Sequence, residues 1–80
     1  MAQIAAFTDE VGTRWSIEVH AYGPRFKREG RCVSAVTDLG DRYLWYLDGV
    51  TAGAAKDHAR WIAEEIGDGR LPAHDAHDVV

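Results

Sequence analysis

Four basic residues lie within seven positions of this 80-residue chain, at residues 25 to 31. The segment reads Arg-Phe-Lys-Arg-Glu-Gly-Arg, so its formal charge is +3 and the rest of the chain sums to −7. Basic side chains neutralise phosphates and an aromatic ring stacks on a base, so nucleic-acid binding is one hypothesis. Its residues are Arg25, Phe26, Lys27, Arg28, Arg31 and Arg14. A solvated loop between two strands is the other interpretation of this charge run.

Trp61 is a second candidate, because it belongs to a predicted helix but lies outside the apolar stripe of that helix. His58 and Glu65 are three and four residues away and flank it on the helix surface. Such a ring either contacts another protein or packs against the tail or a sheet edge of its own domain. Tyr43 and Tyr46, on a predicted aromatic strand, are the sheet residues that we add to this partner-binding group.

The sequence contains residue types that can act in catalysis or bind metals, but it lacks the sequence motifs that usually accompany them at active sites and metal sites. Residues 74–78, His-Asp-Ala-His-Asp, contain metal-ligand types, but two histidines without a packed surrounding shell bind metals loosely. Cys32 could be paired with His20 or His58 as nucleophile and base, but no oxyanion motif or third orienting group accompanies them. The chain also lacks a Walker or Rossmann glycine loop. We therefore expect no enzyme, no metal site and no cofactor.

Composition limits the chain to one small domain. Its hydrophobic content of 46%, with three Trp, three Tyr and two Phe, is enough for one core and argues against wholesale disorder. A single cysteine, an N-terminus without a basic signal-peptide region and no apolar run near 18 residues predict a soluble cytoplasmic protein without membrane contact. Arginine outnumbers lysine seven to two and asparagine is absent, which suggests a bacterial or phage origin.

The strands are predicted from alternation. Residues 13–22 alternate strictly, with Trp15, Ile17 and Val19 on one face, which is typical of a half-buried strand. Further strands are predicted over 31–39 and 42–48, and a short first strand over 2–8 is left open because its apolar residues have mixed parity. Short turns between these segments favour antiparallel neighbours.

A helix is predicted after the last strand, with Thr51 as its N-cap and Gly67 as its left-handed C′ residue. Four residues recur at helical spacing and are expected to face the sheet: Ala55, Ala59, Ile62 and Ile66. The predicted fold is a two-layer α+β sandwich, in which one C-terminal helix covers one face of a three- or four-stranded antiparallel meander, order β(β)ββα. Residues 1–67 form the domain and residues 68–80 are expected to be a flexible tail.

In layout, three antiparallel strands followed by a helix resemble the arm-binding domains of tyrosine integrases and the plant DNA-binding domains of the AP2 type. Those families read the major groove with the sheet. The resemblance implies an outer sheet face formed in part by Arg14, Ser16, Glu18 and His20, with Arg42 as a neighbour.

The sequence therefore predicts a small non-enzymatic binding or regulatory module that acts through a protein–protein interface. It fits a phage or bacterial accessory or inhibitor protein, whose acidic surface could imitate nucleic acid toward a basic partner. A nucleic-acid-binding domain that uses residues 25–31 and the outer sheet face is the alternative. A homodimer is a further option for the surface around Trp61.

Overall fold

A computed structural model describes residues 2–22 and 30–79 of the chain. Their secondary structure comprises five strands and one helix: β1 Ala2–Thr8, β2 Arg14–Tyr22, β3 Gly30–Thr37, β4 Asp41–Asp48, α1 Ala52–Gly67 and β5 Ala76–Val79. The strands form one antiparallel sheet in the order β1-β2-β3-β4-β5. The predicted α+β sandwich is confirmed, although the sheet has five strands rather than three or four.

Strand register places the apolar residues of neighbouring strands on one face. Ile17 is opposite Ala35, and Val33 lies between Val19 on β2 and Trp45 on β4. All five are buried. Because strand side chains alternate, this register puts the odd-numbered residues of β2, β3 and β4 on the helix side of the sheet.

The helix begins at a threonine cap and packs across the first three strands. The hydroxyl of Thr51 accepts a hydrogen bond from the Ala54 N–H at 3.1 Å. Its buried residues are Ala55, Ala59, Ile62 and Ile66, as predicted, and they pack within the core formed with β2, β3 and β4. The left-handed residue is Gly69 (φ 84°) rather than Gly67, because α1 includes Gly67 and Asp68 is its C-cap.

The outer face of β3 is buried by its neighbours in the sheet. Ser34, 2% exposed, lies between Glu18 and Leu44 on the adjacent strands. Since serine is shorter than either neighbour, the flanking side chains shield it, and its hydroxyl is 2.9 Å from His20 Nε2. On the outer face, Ser34 of β3 is therefore recessed between the longer side chains of β2 and β4.

Four residues of the predicted tail form the edge strand β5. Before it, Trp45 Nε1 donates to the Ala73 carbonyl at 2.8 Å, and Asp75 Oδ2 accepts from the Tyr46 N–H at 2.7 Å. His77 then lies opposite Tyr43. These contacts attach the chain after the helix to β4, whereas the flexibility of residues 68–80 and the domain boundary at residue 67 stay predictions. No helix in the described part of the chain is long and apolar enough to cross a membrane.

Candidate interaction surface

Several exposed apolar side chains lie at one end of the sheet. Val11 belongs to the β1–β2 turn, Leu39 to the β3–β4 turn, Leu71 follows the helix, and Val79 ends β5. Alternate turns of an antiparallel meander fall at the same end, and two strand spacings separate these two turns by about 10 Å. We call this region the turn end. Exposed apolar groups that collect in one place are typical of an interaction site.

The β1–β2 turn is held by the carboxylate of Asp9. Its Oδ1 accepts from the N–H groups of Val11 (3.0 Å) and Thr13 (2.9 Å), while its Oδ2 accepts from Trp15 Nε1 at 2.9 Å. The indole N–H of Trp15, with the backbone N–H groups, lowers the pKa of Asp9 despite partial desolvation. Gly12 allows the chain to turn with φ 89°. The turn thus presents Val11, which is 86% exposed, from a fixed backbone.

An open cleft of about 290 Å³ lies between this turn and the end of the helix. The rings of Trp15 and Tyr43, 5.9 Å apart between centroids, form part of its wall. The remaining lining residues are Asp9, Glu10, Val11, Ile66, Gly69, Arg70 and Leu71. The cleft therefore combines an aromatic wall with charged side chains at its rim.

The charge around the cleft is negative. Arg70 Nη2 donates to Glu65 Oε2 at 2.7 Å and to Asp68 Oδ2 at 3.1 Å, and its Nε donates to Glu65 Oε1 at 3.3 Å. These hydrogen bonds lower the pKa of Glu65 and raise the pKa of Arg70. With Asp9 and Glu10, the region has four carboxylates and one guanidinium, and that guanidinium is already shared between two of the carboxylates.

Trp61 extends this surface along the helix. Its side chain is 45% exposed, and its ring centroid lies 5.4 Å from that of His58. Glu65 follows one turn later and joins the helix to Arg70 of the cleft. We call the surface from His58 through Trp61, Glu65 and Arg70 to the cleft the helix-side surface.

The structure separates the two tyrosines that the sequence placed in one partner-binding group. Tyr43 lies on the helix side, in the cleft wall, and stacks on His77 with centroids 4.3 Å apart. Tyr46 is three residues later in β4, so it points to the opposite face of the sheet. Tyr43 therefore joins the helix-side surface through the cleft and Tyr46 does not.

The proposed nucleic-acid contacts are only partly described. Four of them lie outside the described residues: Arg25, Phe26, Lys27 and Arg28. Arg31 Nη1 donates to the Val50 carbonyl at 2.6 Å, which gives it a structural role beside the helix N-terminus. Arg14 is exposed at the turn end, and Arg42 pairs with Asp78 at 2.9 Å on the outer face.

The polar groups on the outer face do not form a nucleophile relay. His20 Nε2 contacts both Ser34 Oγ (2.9 Å) and Glu18 Oε2 (3.2 Å), whereas a catalytic triad uses one ring nitrogen for the nucleophile and the other for the acid. Cys32 is buried, and burial raises the pKa of its thiol. Such a thiol is a poor nucleophile at neutral pH. Among the described residues, no three histidine, cysteine or acidic side chains are placed to hold a metal ion.

Sequence reasoning missed Glu10, Val11, Arg70 and Leu71, which complete the surface. They come from two segments nearly sixty residues apart, so spacing along the chain does not connect them. The available signals were an apolar residue between Asp9 and Gly12 in a turn, and another beside Pro72 after the helix. Comparisons of the chain with protein-family models, curated proteins and solved structures found no match.

Proposed function

We propose that this protein is a non-enzymatic binding module that docks on a protein partner through the helix-side surface. The observation that carries the proposal is the exposed ring of Trp61, joined by Glu65 and Arg70 to an acidic cleft. Tryptophan is enriched among the residues that contribute most to binding energy at interfaces. The half-exposed ring of Trp61 can insert into a partner, and the neighbouring aromatic-walled cleft can accept a side chain from that partner.

The chemistry of this surface favours a partner that presents basic and apolar side chains together. A lysine or arginine can lie over the rings of Trp15 and Tyr43 while the carboxylates of Asp9 and Glu10 offset its charge. A volume of about 290 Å³ is just below the range for small-molecule sites, roughly 300–1,000 Å³. It suits a single protruding side chain better than an enclosed substrate.

Size and charge support a regulatory role in the cytoplasm of a bacterium or of a phage-infected cell. A chain of 80 residues with net charge −4 can cover a basic site on a larger protein, as an accessory or inhibitor would. Charge complementarity of this type speeds association and weakens as salt is added.

The proposal is tested by measuring which proteins of a bacterial cell extract the immobilised protein retains, and in what amounts. Immobilised wild type is compared with Trp61→Ala, Glu10→Lys and the matched control Tyr46→Ala, whose ring lies on the other sheet face. We expect one protein to be retained by wild type and Tyr46→Ala. Trp61→Ala should weaken its affinity by roughly 30-fold or more, about 2 kcal/mol. Glu10→Lys reverses a charge at the cleft and should also weaken the affinity for the partner. Circular dichroism verifies that each variant is folded.

Two outcomes contradict the proposal. One is that Trp61→Ala and Tyr46→Ala retain the same proteins in the same amounts. The other is that wild type retains DNA or RNA at about 50 mM salt, with an affinity that falls steeply as salt rises and is unchanged by Trp61→Ala. The second result would favour the nucleic-acid alternative based on residues 25–31.

A further inference from the structure

The two edges of the sheet differ in their protection against pairing with another strand. The β5 edge is four residues long and carries an ion pair, Asp78 with Arg42, and a polar contact of 2.9 Å between His77 Nε2 and Asp41 Oδ1. Short edge strands with charged side chains resist addition of a further strand. This edge is therefore protected.

The β1 edge lacks these devices. Its seven residues, Ala-Gln-Ile-Ala-Ala-Phe-Thr, include no charged residue and no proline. Sheet order places β1 outermost, with β2 as its strand partner among the described residues. Ile4, Ala5 and Phe7 pack against the core but are only partly buried. Although a bulge shortens its regular part to Ala5–Thr8, the absence of charge leaves this apolar edge a template for strand addition.

We propose that β1 pairs antiparallel with β1 of a second copy, which joins the two sheets into one of ten strands. A two-fold axis between the edges brings residues near the axis close to their own copies. A charged residue near the axis would be repelled by the same residue of the second copy, and β1 contains no charged residue. The absence of charge therefore favours self-pairing.

The helix adds to this interface. It packs against β1 as well as β2 and β3, so the two helices of the dimer lie on the same face, beside the axis. The partly buried side chains of Ile4 and Phe7 become covered by the second copy. This apolar burial supplements the backbone hydrogen bonds of the paired edges.

A bulge limits the length of the pairing. The register with β2 shifts between Gln3 and Ala5, so the regular part of β1 runs from Ala5 to Thr8. Bulges twist an edge away from a partner, and a short ladder gives a reversible dimer rather than an obligate one. Each copy carries net charge −4, so added salt should strengthen self-association, opposite to its expected effect on the basic partner.

Sedimentation equilibrium over about a hundredfold range of protein concentration tests the proposal, because dimerisation follows mass action. Wild type should shift from monomer to dimer, and more so at higher salt. Ala6→Lys and Thr8→Lys, at two exposed positions in the regular part of β1, should keep the protein monomeric at the concentrations where wild type is dimeric. Val79→Lys, an equal charge change on the β5 edge, is the control and should dimerise like wild type.

Circular dichroism establishes that the variants are folded. If Ala6→Lys does not fold, a folded Thr8→Lys is sufficient for the test. A monomeric wild type throughout the range, an unchanged dimer in both folded β1 variants, or assemblies that grow beyond dimers would overturn the proposal. Ala6→Lys should still capture the partner through Trp61, so failure of the dimer leaves the proposed function to its own test.

Discussion

Ile62→Ala is the substitution that most directly probes the packing of the helix on the sheet. Ile62 is 0% exposed and belongs to the core cluster shared with Ile17 and Val33. The change removes three carbon atoms and leaves the helix backbone and its surface charges in place. Alanine also favours the helical state, so the loss reports packing.

The expected loss of unfolding free energy is about 3–4 kcal/mol. Three buried carbons at about 0.8 kcal/mol each account for about 2.4 kcal/mol, and the cavity left behind adds the rest, within the usual 2–5 kcal/mol for Ile→Ala. A domain of this size has roughly 4–12 kcal/mol in total. One substitution thus removes about a quarter or more of it, or about 12–30 °C in Tm.

Urea unfolding monitored by circular dichroism at fixed pH measures this loss. The midpoint should fall with little change in the slope m, since the native state keeps its compactness. Glu64→Ala, an exposed position two residues later on the same helix, is the control and should stay within about 0.5 kcal/mol of wild type. A loss below about 1 kcal/mol for Ile62→Ala would refute the packing of this helix face on the sheet.

Three further predictions concern the helix N-cap Thr51, the β1–β2 turn and residues 73–80. Thr51→Ala removes the hydroxyl that accepts from the first helical turn and should lower the unfolding free energy by about 1 kcal/mol in urea titrations, with Thr51→Ser restoring most of it. The folded-state pKa of Asp9 is lowered, so its stabilisation is present above its ordinary pKa of 3.8 and is lost as pH falls through the folded value. Asp9→Asn should therefore show a smaller loss of stability than wild type in acid titrations below about pH 4. Deletion of residues 73–80 removes the Ala73 carbonyl that accepts from Trp45 and should shift tryptophan emission to longer wavelength while lowering the unfolding midpoint. An unchanged spectrum and midpoint would mean that this segment does not pack on β4.

The features predicted best from sequence are those whose residues are close along the chain. Strict alternation in residues 13–22 identified β2, and the stripe from Ala55 to Ile66 identified the buried face of α1. Thr51 was recognisable because a cap depends on one hydroxyl and the next three residues. Local pattern determines each of these features, so tertiary contacts were not needed to find them.

The features that were missed depend on contacts between distant segments. β5 has only four residues, of which one is partly buried, so it lacks an alternating apolar signal. Its position is fixed by partners such as Tyr43 and Trp45 on β4, about thirty residues earlier. The cleft likewise requires the β1–β2 turn and residues 69–71 to meet, and this depends on how the helix packs across the sheet beside β1.

Hydroxyl-radical footprinting of the protein alone and bound to its captured partner is the most direct test of the helix-side surface. Binding should protect Trp61, Val11 and Leu71, which are exposed in the free protein, and leave the oxidation of Tyr46 on the opposite face unchanged. Protection of Tyr46 with Trp61 still fully reactive would contradict the proposed docking surface.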